Sequence, residues 1–213
     1  MTARGAVQAV LGAISAVFLL ASPWVLYWTL THQDVRVAAL ILIGWVVVRA
    51  IPIVVSAQRA QRVAALQLPA IALVFAALGW LSDNGTWLLV LPSATQGAFG
   101  VAFLRSLSGT PLIEHFARMV KPVLGPPELA HCRRWTRIWG IYLLVLAAIG
   151  LGLARWASLA VWTVYVGIVA YALVGALFAV EYVIRKIRFR DYGRNPLDWL
   201  LGKLFPAARS GVN

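Results

Sequence analysis

Long apolar runs are the feature that most constrains how this chain can fold. Stretches of about 20 apolar residues recur between the charged ones, and one helix needs about that many to cross a bilayer core. Hydrophobic residues make up 62% of the 213 residues and charged residues only 12%. Because a soluble domain carries roughly 25% charged residues, a globule of this size could not hide the excess apolar surface. The sequence therefore predicts an all-α, polytopic membrane protein.

Six of these runs are long enough to be predicted as transmembrane helices. They cover residues 6–31, 35–56, 63–81, 86–104, 138–157 and 159–184. The first run is longer than the apolar core of a cleavable signal peptide, so we expect it to be retained as a span. The gap between the last two runs, at 155–158, is the weakest boundary, because the sequence there is almost continuously apolar. We expect a single transmembrane domain over residues 1–213.

Basic residues set the predicted orientation. Six spans place both termini on one side, and a cytoplasmic N-terminus puts sixteen of the nineteen Lys and Arg residues on the inner side. Only Arg36 and Arg155 then lie outside, and Arg49 lies within the second span. Cytoplasmic loops carry such an excess of positive charge, so we expect a bacterial inner-membrane protein with both termini in the cytoplasm. The same distribution disfavours nucleic acid as a partner, because the charges fill the gaps between apolar runs.

Tryptophans fall near the ends of the predicted spans, where amphipathic rings prefer to lie. The outer ends carry Trp24, Trp28, Trp80, Trp87, Trp156 and Trp162, and the inner boundary before span five carries Trp135 and Trp139.

One substantial loop, residues 105–137, separates spans four and five, and a basic tail, 185–213, follows span six. Thr110 before Pro111 is a helix-start pattern, with Thr110 as the N-cap hydroxyl. Apolar residues then recur at helical spacing, which predicts a short helix lying in the headgroup region. These residues are Leu112, Ile113, Phe116 and Val120. A second helical segment is expected from about Glu128, and another short amphipathic piece at 195–201 in the tail.

Basic residues cluster in the same loop. This candidate docking surface consists of Arg118, Lys121, Arg133, Arg134 and Arg137. Juxtamembrane clusters of this kind attract anionic lipid at about 1 kcal/mol per residue, and they would also attract an acidic soluble protein. The positive-inside rule by itself explains the same charges.

Three polar residues in the spans suggest a second candidate site. Arg49 lies roughly two turns from the inner end of span two, and Glu181 is the opposite charge at similar depth in span six. With Gln96 of span four they could form a polar cavity for an anionic headgroup or an acyl intermediate. A charge at that depth is costly unless it is paired or reaches the surface, so a purely structural ion pair or a snorkelling arginine explains Arg49 equally.

Catalytic and metal sites are not indicated. The polar loop residues Glu114, His115, Glu128, His131 and Cys132 match no metal-ligand spacing, and we expect them to be solvated. Cys132 is the single cysteine, which excludes an intramolecular disulfide. We expect no cofactor, and no nucleophile or acid–base pair favours an embedded transferase. In span six, Gly167, Gly175 and Ala179 predict a close-packing face.

Several short segments together resemble a known family. These are Leu91-Pro92, Phe103-Leu104-Arg105-Ser106-Leu107, Pro111-Leu112-Ile113-Glu114 with Phe116-Ala117-Arg118, Arg133-Arg134 with Thr136 and Trp139, and Ala179-Val180-Glu181-Tyr182. In these segments the chain is similar to a family of small polytopic bacterial membrane proteins associated with aryl-polyene-type biosynthetic gene clusters. Some proteins of that family are mislabelled as ketosynthases. His131-Cys132 departs from that pattern, which has Tyr-Thr there, and this counts against Cys132 as a nucleophile.

The resemblance implies an accessory role in a lipid-like or polyene product pathway. Membrane lipid is then the expected surrounding, and an acyl carrier protein or soluble biosynthetic enzyme the expected partner for the basic face. The alternative is a small transporter or flippase for a lipid-like substrate, which would use the polar groups of spans two, four and six.

Overall fold

The computed structural model describes residues 20–56, 59–190 and 196–205, and every regular element within them is helical. The prediction of an all-α chain is confirmed for these residues. Helices suit an apolar chain because each backbone N–H and C=O is satisfied within its own segment. The first part of predicted span one, 6–19, lies outside the described residues, as does the side chain of Arg49.

Nine helices make up the described chain. In order they are α1 (20–32), α2 (Val35–Ser56), α3 (Arg59–Ser82), α4 (Thr86–Ser106), α5 (Leu112–Val120), α6 (Pro126–Trp156), α7 (Leu159–Val164), α8 (Ala170–Phe189) and α9 (Pro196–Leu204). A π-helical turn, Tyr165–Val169, joins α7 to α8.

Among the residues that the structure describes, three helical stretches are long and apolar enough to cross a membrane. They are α4, α6 and the continuous stretch Leu159–Phe189. Two shorter apolar stretches, Val35–Val48 and Pro69–Ser82, lie in α2 and α3. The apolar helices therefore agree with a membrane protein, and the number of spans remains a prediction.

Local hydrogen bonds help to explain where one helix ends and the next begins. After α3 the chain turns at Asp83, whose φ of 50° is left-handed, and Asn84 Oδ1 accepts from the Thr86 N–H at 3.0 Å to start α4. At the junction of α6 and α7, Ser158 Oγ accepts from the Val161 N–H at 3.4 Å. An Asn or Ser side chain that accepts from the first turn satisfies a donor that the helix itself cannot.

Close packing of α4 against α6 is the most extensive contact between described helices. A Cβ on Gly100 would lie 3.0 Å from the Gly140 carbonyl oxygen, and one on Gly140 would lie 2.6 Å from Leu104 Cδ2. Gly97, three residues before Gly100, faces Ala147, which is seven residues after Gly140. Two helices approach this closely only where small residues line both faces.

The small residues predicted to form a close-packing face in span six differ in their surroundings. A Cβ on Gly167 would lie 3.1 Å from Trp24 Nε1, whereas no described atom lies within 4 Å of a Cβ built on Gly175, and Ala179 is exposed. A close-packing face over all three positions stays a prediction, while the tight glycine contacts between α4 and α6 are observed.

Three tryptophans expected at membrane boundaries lie inside the protein instead. Trp135 and Trp139 are buried on α6, and Trp162 is fully buried on α7. The other five predicted interfacial tryptophans are exposed or half-buried (Trp24, Trp28, Trp80, Trp87 and Trp156). A boundary position on the sequence does not determine whether the ring faces lipid or a neighbouring helix.

The chain divides into two compact units, Met1–Ile168 and Val169–Asn213. Part of the core of the first unit is a cluster of Ala38, Ala39, Ala76 and Leu88, which joins α2, α3 and the start of α4. In the second unit, α9 packs against α8.

Candidate membrane-surface site

The short helix α5 is attached to its neighbours by hydroxyl groups. Ser106 Oγ accepts from the Leu112 N–H at 3.0 Å, and Thr136 Oγ1 of α6 accepts from the Ile113 N–H at 3.3 Å. Both donors belong to the first turn, which has no acceptors within its own helix. Ile113, Thr136 and the preceding Pro111 are buried, so α5 is seated by an apolar side chain and two backbone donors.

The prediction of Thr110 as N-cap is wrong by one residue. α5 has Pro111 at its N-cap, and Thr110 is exposed. Proline has no N–H to offer and its ring fixes φ, so it holds the chain extended before the first turn. Ser106, five residues before the N-cap, supplies the hydroxyl that Thr110 was expected to supply.

Carboxylates fix the two ends of the α5–α6 connection. Arg118 Nη2 pairs with Glu114 Oε1 at 2.8 Å, and Arg118 Nη1 donates to the Pro122 carbonyl at 3.1 Å. Lys121 Nζ donates to Glu128 Oε1 at 2.7 Å, while Glu128 Oε2 accepts from the Gly125 N–H at 2.7 Å. These exposed pairs contribute little individually, but together they define how the chain returns from α5 to α6.

The five basic residues of the candidate docking surface therefore divide into two sets. Arg118 and Lys121 are engaged with carboxylates, and Arg133 Nη2 donates to the Leu107 carbonyl at 2.7 Å. Arg134 and Arg137 are exposed and make no ion pair or hydrogen bond to any residue that the structure describes. The first set positions the connection, and the second is available to an anionic partner.

Helical geometry places the arginines of α6 together. One face of its first turns is buried (His131, Cys132, Trp135, Thr136 and Trp139). At about 100° per residue, Arg133, Arg134 and Arg137 fall on the opposite face, and all three are exposed.

Burial of His131 and Cys132 contradicts the expectation that they are solvated loop residues. Both side chains lie on the buried face of α6, where the His131 ring contacts the Trp135 ring. Among the described residues, no group of three or more His, Cys, Asp or Glu side chains is placed to hold a metal ion.

An apolar edge runs along the outside of α5 and into the following turn. Phe116 is 55% exposed, Met119 75%, Val120 89% and Val123 79%. Only Ile113 among the large apolar residues of α5 is buried. A short helix with exposed apolar residues next to Arg and Lys has the composition of helices that lie in a membrane interface.

The three residues of the predicted polar cavity lie on three different helices. Arg49 belongs to α2, but its side chain lies outside the described residues; Gln96 is half-buried on α4. Glu181 is buried on α8 in the second unit. The cavity formed by the three residues stays a prediction.

A buried polar contact that the sequence did not suggest links α6 to the π-helical turn. The Tyr165 hydroxyl donates to the Leu146 carbonyl at 2.9 Å. Ser93 of α4 lies against Gly150 of α6, where a Cβ would collide with its hydroxyl. A π-helical turn displaces the side chains after it by one position, and only structure reveals it.

No match to the chain is found among protein-family models, characterised proteins or solved structures. Its function is therefore argued from the geometry of the α5–α6 region.

Proposed function

We propose that the chain is a six-span inner-membrane accessory protein, with both termini in the cytoplasm, which recruits an acidic soluble protein to the bilayer. The partner that fits this proposal is an acyl carrier protein of a lipid-like or polyene product pathway. The role is non-catalytic: the protein holds a carrier-linked product next to the membrane.

One observation carries the proposal. Arg134 and Arg137 are exposed on a helix that is fixed on its opposite face, and no described carboxylate neutralises them. Charges held on a rigid element lose little conformational freedom when a partner binds. Electrostatic complementarity of this kind raises association rates and selects partners of opposite charge.

The apolar edge of α5 supports a location at the membrane surface. Phe116, Met119 and Val120 would expose apolar surface to water in a soluble protein. In the headgroup region the same residues are buried against acyl chains. An α5 in that position would hold the start of α6, and with it Arg134 and Arg137, at the cytoplasmic surface.

A binding measurement with matched charge variants tests the proposal. The protein in anionic nanodiscs is titrated with an acyl carrier protein, and the same titration is repeated with Arg134→Gln/Arg137→Gln. The control, Arg36→Gln/Arg155→Gln, removes two exposed arginines from the proposed outer side. We expect the first variant to bind about tenfold more weakly, equivalent to about 1.4 kcal/mol, and the control to bind as the parent does.

Salt gives a second readout of the same contact. Surface charge pairs are screened with a Debye length of about 10 Å at 0.1 M salt, so parent binding should weaken as salt is raised and variant binding should change less. Equal affinity of parent and Arg134→Gln/Arg137→Gln would remove the docking role.

A further inference from the structure

In the C-terminal helix α9 the acidic residue is buried and apolar residues are exposed, which is the reverse of the pattern in a water-soluble protein. Its acidic residue, Asp198, is only 1% exposed. Four of its large apolar side chains are exposed: Leu197 is 47% exposed, Trp199 61%, Leu200 46% and Leu204 63%. In water the charged residue belongs outside and the apolar residues inside, so water is the wrong surrounding for this helix.

Two residues of α8 hold Asp198 in place. Lys186 Nζ lies 2.9 Å from Asp198 Oδ2, and the Tyr182 hydroxyl donates to Asp198 Oδ1. Tyr182 and Lys186 are four residues apart, hence on the same face of α8. We call Tyr182, Lys186 and Asp198 the latch. Because the carboxylate is buried and doubly bound, it fixes both the position and the rotation of α9.

The latch also fixes how deep α9 lies. Lys186 and Tyr182 precede the end of α8 at Phe189 by three and seven residues, which is about 5 and about 10 Å at 1.5 Å per residue. The apolar stretch that ends at Phe189 has 31 residues, so it is about 46 Å long and exceeds the bilayer core of about 30 Å. Because Arg185, Lys186, Arg188 and Arg190 lie at its C-terminal end, that end is the one expected among the headgroups of a membrane that it crosses, and α9 is tied to it.

Basic residues occur on α9 and at the end of α8. Lys203 Nζ lies 3.8 Å from the centre of the Trp199 ring, and Arg185, Arg188 and Arg190 at the end of α8 are exposed. Trp together with Lys and Arg is characteristic of helices at an anionic interface, where the ring sits at headgroup level and the cations contact phosphate.

We propose that α9 is a membrane-surface anchor that lies on anionic phospholipid. Leu197, Trp199, Leu200 and Leu204 enter the boundary between headgroups and acyl chains, while Asp198 points into the protein. Lys203 and the arginines of α8 contact lipid phosphates. This inference requires that Leu159–Phe189 crosses a membrane, but it is independent of the recruitment of a carrier protein.

Spin-label depth measurements test the anchor in the intact protein. Leu200→Cys is labelled in vesicles of phosphatidylcholine with and without phosphatidylglycerol, and collisions with oxygen and with a water-soluble nickel chelate are compared. Val180→Cys, exposed on α8, provides the lipid reference, and Gln33→Cys, exposed between α1 and α2, provides the water reference. Cys132 is buried, and the unsubstituted protein measures its background labelling.

We expect the Leu200→Cys label to lie between the two references and to move deeper when phosphatidylglycerol is present. Trp199→Gln/Leu204→Gln, which alters exposed residues only, should shift it to the value of the water reference without changing the helix content. A label that matches Gln33→Cys in both lipid mixtures would overturn the proposal. Equal depth in the two mixtures would overturn the role of anionic lipid.

Discussion

The helices α5 and α9 are both nine residues long and both turn apolar side chains outward, but they are attached in different ways. α5 is seated by several neutral contacts: the buried Ile113, and backbone donors to the hydroxyls of Ser106 and Thr136. α9 contacts α8 through a buried carboxylate, Asp198, which is bound by Lys186 and Tyr182. Neutral contacts share the stabilisation and tolerate the loss of one member. A buried ion pair fails when either charge is removed, because the other is left without compensation.

The largest effect is therefore expected at the latch. Asp198→Asn keeps the shape of the side chain but removes the carboxylate charge that lies 2.9 Å from the mostly buried Lys186 Nζ. Breaking a buried pair costs about 3 kcal/mol or more, so amide hydrogen exchange over 197–204 should accelerate by about two orders of magnitude. Lys203→Gln is the control, since it removes a charge from α9 without touching the latch.

If amide exchange over 197–204 is as slow in Asp198→Asn as in the parent, the attachment of α9 does not depend on the latch, and the contrast with α5 is wrong. An equally large acceleration in Lys203→Gln would also contradict this contrast, because its cation–π contact with Trp199 is exposed and worth about 1 kcal/mol or less.

A smaller effect is expected at the seat of α5. Thr136→Val has nearly the same shape, but it removes the acceptor of the Ile113 N–H. A buried donor left unsatisfied costs about 1–3 kcal/mol, while the burial of Ile113 and the bond to Ser106 remain. Exchange over 112–116 should accelerate by about tenfold, with no change over 197–204.

The matched control is Thr110→Val, at the threonine that the sequence favoured as the cap. Thr110 is exposed and does not cap α5, so exchange should stay at the parent rate. If exchange over 112–116 accelerates more in Thr110→Val than in Thr136→Val, Thr110 caps α5 as the sequence suggested, and the contacts of Ser106 and Thr136 do not.

Helix positions could be predicted from the sequence because apolar runs and polar turns report directly on them. α2 covers 35–56 as expected, and α6 ends at Trp156, inside the boundary considered weakest. The start of α6 was predicted to within two residues, since a helical segment was expected from about Glu128 and the helix begins at Pro126. Hydropathy alone would start the span at 138, because the first three turns of α6 are amphipathic rather than apolar.

Contacts between elements were much harder to predict. Asp198 pairs with Lys186, twelve residues away, because α9 folds back on α8. The burial of His131 and Cys132 depends on the packing of other elements against one face of α6, which composition does not reveal. Gly100 and Gly140 pack closely, although the glycine pattern of span six looked more regular; spacing on one helix says nothing about its partner.

Topology mapping tests the central claim most directly, namely that the apolar helices cross a membrane with the basic α5–α6 connection on the cytoplasmic side. Paired fluorescent-protein and alkaline-phosphatase reporters can be inserted after Val123, in the connection, and after Asn84, in the turn before α4. The account predicts fluorescence only at Val123 and phosphatase activity only at Asn84. The reverse pattern, or a chain that remains in solution without detergent, would contradict it.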